Sequence, residues 1–194
     1  KLLSHPQVPV NVQNKFGFTP LKLAVYSDRV DCLKELLSHP HLNINTQNKQ
    51  GNTALYQAVS SGKVDSLREL LSHPHIDVNI QNKCSHTALY AAVSSGSVNS
   101  VRELLSHPQI DVAIKCGEFK KTVLWYCKNR DCYDLLLPHY PKMKEDKKRM
   151  AWIWSMYNHN EGSVVELKEI TQQFSKDILY EMKDDVSMLV WIAA

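Results

Sequence analysis

The sequence predicts an all-α solenoid of helix-turn-helix units with β-hairpin loops between them, followed by a C-terminal helical segment. Three observations support this prediction. Within each unit, apolar residues return at the three- and four-residue spacing of an amphipathic helix. Proline closes each unit, and proline stops a helix because it fixes the backbone and removes the amide donor. The string LLSHP recurs at a fixed step of 34 residues, beginning at Leu2, Leu36, Leu70 and Leu104.

The first helix of each unit follows the pattern T-x-L-x-x-A, read as TPLKLA, TALYQA and TALYAA. The threonine suits the N-cap, since its hydroxyl can accept a hydrogen bond from an amide of the first turn. Pro20 falls at the first helical position, where a missing N–H is harmless. Gly62 and Gly96 end the helix, where a left-handed residue is useful.

The second helix reads VDCLKELL, VDSLRELL or VNSVRELL in successive units. Val64, Leu67, Leu70 and Leu71 share one face of it, which predicts a helix packed on its neighbours. After the proline, apolar and polar residues alternate and then reach Asn and Lys. This stretch predicts the arms and tip of a short hairpin.

These motifs together, G-x-T-P/A-L-x-x-A-x-x-x-G … L-L … D-V-N, resemble the ankyrin repeat. The resemblance covers residues 1–141 and implies an ankyrin-repeat solenoid. It would contain a partial first unit, three full units of 34 residues and a degenerate last unit.

The repeat departs from the family pattern in three ways. The unit is one residue longer than usual and carries an S-H-P turn. The last unit, TVLWYC followed by DCYDLLLP, lies one residue late and has a short second helix, as expected where a stack ends. The family's histidine, which ties adjacent loops together, is absent, so we expect different bonds between the loops. In its place stand Lys22, Tyr56, Tyr90 and Trp125.

The pattern breaks in residues 142–194. A charged run, KMKEDKKR, precedes an apolar helical face, and Ser163 with Glu166 forms a capping box. We expect helices that either cap the last repeat or begin a further domain; a second partner-binding element is the alternative. The charged run is either a solvated helix start or a contact for an acidic partner or nucleic acid.

Composition narrows the function classes. The net charge of +3 is far below that of a nucleic-acid-binding domain, so nucleic acid is not the expected partner. No apolar run approaches the length of about 18 residues that spans a membrane, and the first residues do not resemble a secretory leader. The five cysteines are odd in number and form no C-x-x-C, which favours a reducing compartment. We therefore expect a cytoplasmic protein, and a monomer.

Candidate chemistry is weak. Equivalent histidines of stacked units lie about 10 Å apart, whereas zinc ligands lie about 2 Å from one ion, so no metal is expected. The histidines concerned are His5, His39, His73 and His107. Cys127 lies near Cys132 and His139, but it occupies the position of Ala24 and Ala92 in other units, which predicts a buried thiol. No phosphate loop or hydrolase motif is present, so we expect neither a cofactor nor an enzyme.

The resemblance implies that the first helices and hairpin tips form a groove that binds another protein. The candidate contacts at the tips are Lys15, Phe16, Phe18, Lys49, Gln50, Asn52, Lys83, Cys84 and His86. Those on the first helices are Tyr26, Ser27, Ser60, Ser61, Ser94 and Ser95. Phe16, Phe18 and Tyr26 are large apolar groups at positions predicted to be exposed; they are either binding hot spots or a shield over the core. For the aromatics at the vacated histidine position, packing between repeats is the expected role.

Two alternatives to a protein-interaction module remain. The chain could be the substrate-recognition or regulatory arm of a larger enzyme or secreted effector, with catalysis elsewhere. Its groove could instead bind a small molecule or nucleic acid.

Overall fold

The computed structural model describes residues 9–118 and 120–140. The chain divides into two units, Lys1–Pro141 and Lys142–Ala194, and all the described residues belong to the first. The predicted C-terminal helices, the first LLSHP copy and His5 lie outside the described residues.

The described chain is a succession of paired short helices. The first full repeat contains α1 and α2, the second α3 and α4, and the third α5 and α6; the last repeat contains a 3₁₀ helix and α7. Their bounds are α1 Pro20–Tyr26, α2 Val30–Leu37, α3 Ala54–Ser60, α4 Val64–Leu71, α5 Ala88–Ser94, α6 Val98–Leu105, the 3₁₀ helix Val123–Tyr126, α7 Arg130–Leu136 and a final 3₁₀ turn Leu137–His139.

The first helices begin and end where the sequence predicts. The hydroxyls of Thr19, Thr53 and Thr87 each accept a hydrogen bond from the backbone amide three residues later. Gly62 and Gly96 follow the ends of α3 and α5 with φ of 66° and 69°. This left-handed backbone turns the chain sharply into the second helix.

The core is a continuous file of leucines contributed by every repeat. Burial of each such side chain stabilises the fold by about 1.5–3 kcal/mol. Because isolated helices of seven or eight residues are unstable, the repeats depend on stacking against one another. The most deeply buried members are Leu21, Leu33, Leu55, Leu67, Leu70, Leu89, Leu104, Leu124 and Leu136.

Each tip is a hydrogen-bonded turn organised by one asparagine. The amide of Asn48 donates to the carbonyl of Asn52 at 3.0 Å, and the Asn48 side chain accepts from the amides of Gln50 and Asn52. Asn14 and Asn82 do the same in their own repeats. The described residues contain no β-strand beyond an isolated bridge between Cys116 and Lys121, so the arms of the predicted hairpins do not form β-strands.

The arms bond instead to the next repeat. The Asn45 side-chain amide donates to the carbonyl of His75 at 2.8 Å, and its oxygen accepts from the amide of Asp77 at 3.0 Å. Asn11 and Asn79 make the same pair of bonds, one repeat earlier and one later. We call these three side chains the asparagine clamp. The residues after S-H-P supply the acceptor and the donor of the asparagine clamp.

A second set of bonds runs beside the asparagine clamp. The Gln13, Gln47 and Gln81 side chains each donate to the backbone carbonyl 34 residues later, at 2.9, 3.1 and 2.9 Å. Glutamine and asparagine side chains therefore both connect the loops of neighbouring repeats.

Candidate partner-binding face

The tips form one continuous row. The amide of Lys49 donates to the carbonyl of Phe16 at 3.5 Å, and the amide of Lys83 donates to that of Gln50 at 3.1 Å. These bonds fix the spacing of the tips along the solenoid. The tips and first helices, residues 13–27, 47–61 and 81–95, are called the tip face below.

The candidate contact residues all lie on the tip face, but they differ in exposure. The half-buried ones are Phe18, Asn52, Ser61 and His86. The exposed ones are Lys15, Phe16, Tyr26, Ser27, Lys49, Gln50, Ser60, Lys83, Cys84, Ser94 and Ser95.

Three half-buried candidates make contacts within the array. The Asn52 side-chain oxygen accepts from the Asn82 amide group at 2.8 Å. The His86 ring stacks on Tyr90 with centroids 3.9 Å apart, and burial lowers the pKa of His86. The Ser61 hydroxyl accepts from the Gln57 amide group at 2.7 Å. The Asn52 contact joins two neighbouring repeats, whereas the His86 and Ser61 contacts lie within their own repeats.

Lys22 is buried, with only 1% of its surface exposed. Its ammonium group donates to the backbone carbonyl of Asn52 in the next repeat. It therefore ties adjacent loops from the position where the family has histidine. Burial lowers the Lys22 pKa to about 8, because the surroundings disfavour the charged amine.

Aromatic rings occupy the same position in later repeats. Tyr90 packs edge-to-face on Tyr126 of the last repeat, with centroids 4.8 Å apart, and Trp125 packs in the same way on Tyr126. Tyr126 also donates its hydroxyl to the carbonyl of Cys116 at 2.8 Å. The last repeat thus places Tyr126 against Tyr90 and leaves Trp125 37% exposed, a shift by one residue from the sequence prediction.

Two aromatic side chains are exposed on the tip face. Phe16 is 55% exposed and Tyr26 is 65% exposed. The sequence prediction missed Leu23, which is 46% exposed on α1. Comparison between repeats could have identified Leu23, since Gln57 and Ala91 hold the same position and neither is a large apolar residue.

The recurring histidines have a structural role. The Nδ1 atoms of His39, His73 and His107 accept from the backbone amide two residues later, at 3.3, 3.2 and 3.3 Å. Each ring thereby fixes the turn that follows the second helix. Within the part of the chain that the structure describes, no His, Cys, Asp and Glu cluster could hold a metal ion.

The cysteines near the last repeat are unsuited to nucleophilic catalysis. Cys127 and Cys132 are buried, as the alanine equivalence predicts for Cys127. Burial raises the pKa of the Cys127 thiol to about 11 and also raises the pKa of Cys132. Both thiols are therefore protonated at neutral pH, and a thiol is a poor nucleophile.

Comparison with known proteins agrees with the geometry. A family model described as "Ankyrin repeats (3 copies)" matches residues 1–82 and 67–149. A comparison with curated proteins gives no match. Among residues 9–118 and 120–140, no helix is long and apolar enough to cross a bilayer.

Proposed function

The chain belongs to the ankyrin-repeat family, and from this premise we propose that it is a non-catalytic module that binds another protein through its tip face. Ankyrin repeats are generally protein-interaction modules and are typically non-catalytic. Recognition through the tip face, rather than another surface of the solenoid, is the finer part of this proposal.

The exposure of Phe16 and Tyr26 is the observation that carries the proposal. The equivalent residues are Gln50 and Cys84 for Phe16, and Ser60 and Ser94 for Tyr26. The framework therefore accepts small or polar groups there, and the aromatic rings are not needed for stacking. Aromatic residues are enriched at protein interfaces, and tyrosine is among the residues enriched at their hot spots.

Affinity capture tests the proposal. The immobilised 194-residue chain is compared with the Phe16→Ala, Tyr26→Ala double variant, using cell lysate and quantitative mass spectrometry. We expect the variant to lose its specifically captured protein by about tenfold or more, as for hot-spot truncation. Its melting temperature should change by less than about 2 °C, because surface substitutions rarely alter stability.

Val12→Ala is the matched control, because Val12 is 57% exposed yet lies outside the tip face. Undiminished capture by the double variant would contradict the proposal. A large drop in its melting temperature would instead show that the rings shield the core.

The alternative, a recognition arm of a larger enzyme or secreted effector, uses the same surface. A full reading frame that encodes no catalytic domain would remove this alternative.

A further inference from the structure

Charge is unevenly distributed over the repeats. Residues 13–27, 47–61 and 81–95, which form the tip face, contain no Asp or Glu. The segments between them, which hold the second helices, contain both signs of charge. The tip face therefore carries positive charge without compensating carboxylates.

Its exposed positive charge is a row of three lysines, Lys15, Lys49 and Lys83, one in each of the three segments of the tip face. All three are exposed, and none forms an ion pair with another described residue. Lys15 lies near an aromatic ring, with its Nζ 5.0 Å from the centroid of Phe16.

Two cations of the second helices form ion pairs instead. Lys34 pairs with Glu69 at 3.3 Å, and Arg68 pairs with Glu103 at 2.8 Å. Both pairs join one repeat to the next. Lys34 and Arg68 are thus paired with carboxylates of the next repeat, whereas the three tip lysines form no ion pair with another described residue.

The fold does not require lysine at the tips. Lys49 and Lys83 hold neighbouring tips through their backbone amides, a bond that any residue except proline could make. Like charges in a row repel one another, so the lysine side chains favour separation of the tips if they have any effect on stability. A ligand of opposite charge supplies a reason for the row.

We propose that the tip face binds an extended acidic segment of its protein partner, with carboxylates on Lys15, Lys49 and Lys83. This inference rests on the proposed function and names the chemistry of the partner. Neighbouring repeats are about 10 Å apart. A peptide in the extended polyproline II conformation has three residues per turn and advances about 3.1 Å per residue, so every third side chain lies on the same face and meets a lysine. A segment of about seven residues spans the row. An apolar side chain at the Lys15 end would contact Phe16.

A peptide fits the row better than a nucleic acid does. Affinity for nucleic acid grows with the number of phosphates that a protein neutralises, and this row offers only three contacts. Single-stranded nucleic acid also needs aromatic rings on which successive bases stack. The second and third tips carry Gln50 and Cys84 at the position of Phe16.

Selection from a phage library of random peptides, about twelve residues long, tests the proposal on the full 194-residue chain. We expect the selected peptides to be enriched in Asp and Glu at three-residue spacing. The dissociation constant of the best labelled peptide is then measured by fluorescence anisotropy. Its affinity should fall as salt rises from about 0.05 M to about 0.3 M, because the pairs are exposed.

Matched variants locate the binding charge. Lys49→Gln with Lys83→Gln should weaken the peptide by about five- to tenfold, which corresponds to two exposed ion pairs. Lys49→Arg with Lys83→Arg should restore most of the affinity. Arg29→Gln with Arg102→Gln removes the same charge from exposed sites outside the tip face and should have little effect.

The outcomes separate the two proposals. Selected peptides without acidic enrichment, or equal weakening by the arginine control, would overturn the acidic segment while leaving the proposed function intact. Displacement of the peptide by single-stranded DNA at equal concentration would favour nucleic acid and overturn the inference. If no peptide or lysate protein depends on the tip face, the proposed function itself fails.

Discussion

The third repeat and the last repeat differ in the capping of their first helix and in the side-chain bonds of their turns. In the third repeat, Thr87 caps a regular α-helix and Asn79 clamps the following turn. In the last repeat, Thr122 forms no side-chain cap and the first helix is a single 3₁₀ turn. Ala113 and Lys115 stand where the earlier repeats have the clamping Asn and Gln.

In the last repeat, hydrogen bonds from tyrosine hydroxyls take the place of these side-chain bonds. The hydroxyl of Tyr140 donates to the carbonyl of Val112, and the hydroxyl of Tyr126 donates to that of Cys116. Buried Tyr133 and Tyr140 add apolar surface to its core. A regular repeat therefore has side chains that hydrogen-bond to the next repeat. The described part of the last repeat instead has tyrosine hydroxyls that bond to carbonyls earlier in the chain.

The tips show the same difference. In the regular repeats, the next tip binds the carbonyl before the glycine position, as Lys83 binds Gln50. In the last repeat the bond moves by one residue, and Gly117 donates to Ser85 at 3.2 Å. Ser85 occupies the glycine position with φ of 59°, so a side chain is tolerated only where the next tip is displaced.

The largest expected effect is that of Gly51→Ala. Gly51 has φ of 81°, and a Cβ atom there would lie 2.8 Å from the amide nitrogen of Lys83. The left-handed backbone and this contact together should lower the free energy of unfolding by about 3 kcal/mol, measured by urea denaturation.

Gly62→Ala is its control. Gly62 has φ of 66° but no atom within 4 Å of the added Cβ, so a loss of about 1 kcal/mol is expected. Equal losses in the two variants would contradict the close approach of neighbouring tips.

A smaller change in stability is expected at the asparagine clamp, which is present at Asn45 and is replaced by Ala113 in the last repeat. Asn45→Ala removes two bonds between repeats and should cost about 1–2 kcal/mol. Ala113→Asn should change stability by less than about 0.5 kcal/mol, since surface substitutions rarely do more. Matching values for the two variants, from urea denaturation, would show that the clamp does not stabilise the array.

The sequence was sufficient to predict the repeat, the threonine caps of α1, α3 and α5 and the apolar face of the second helices, because these depend on residues within one repeat. It did not predict that Lys22 is buried, or that Tyr126 reaches Tyr90, since both depend on packing between repeats. The clamp had a visible signal, because asparagine recurs at 11, 45 and 79 and is lost at 113. Exposure of Phe16 and Tyr26 followed from comparing repeats, but the chemistry of a partner required the charge distribution over the assembled face.

The smallest expected effect is a difference between the first full repeat and the last repeat in how stability depends on pH. Lys22 in the first full repeat has its pKa lowered from 10.5 to about 8 by burial. Between these values the unfolded chain binds a proton that the folded chain does not, so stability rises with pH. From pH 7.5 to 9 this gain should be about 1 kcal/mol in urea denaturation, and Lys22→Met should abolish it.

Cys127 in the last repeat has the opposite dependence, because burial raises its pKa from 9.0 to about 11. Its thiol stays protonated in the folded state while the unfolded thiol ionises, so stability falls as pH rises from 9 to 11. Cys127→Ala should remove that part of the alkaline loss and leave the gain between pH 7.5 and 9 unchanged. If Lys22→Met retained the gain instead, the buried amine would not be its source, and the first full repeat would not differ from the last in its response to pH.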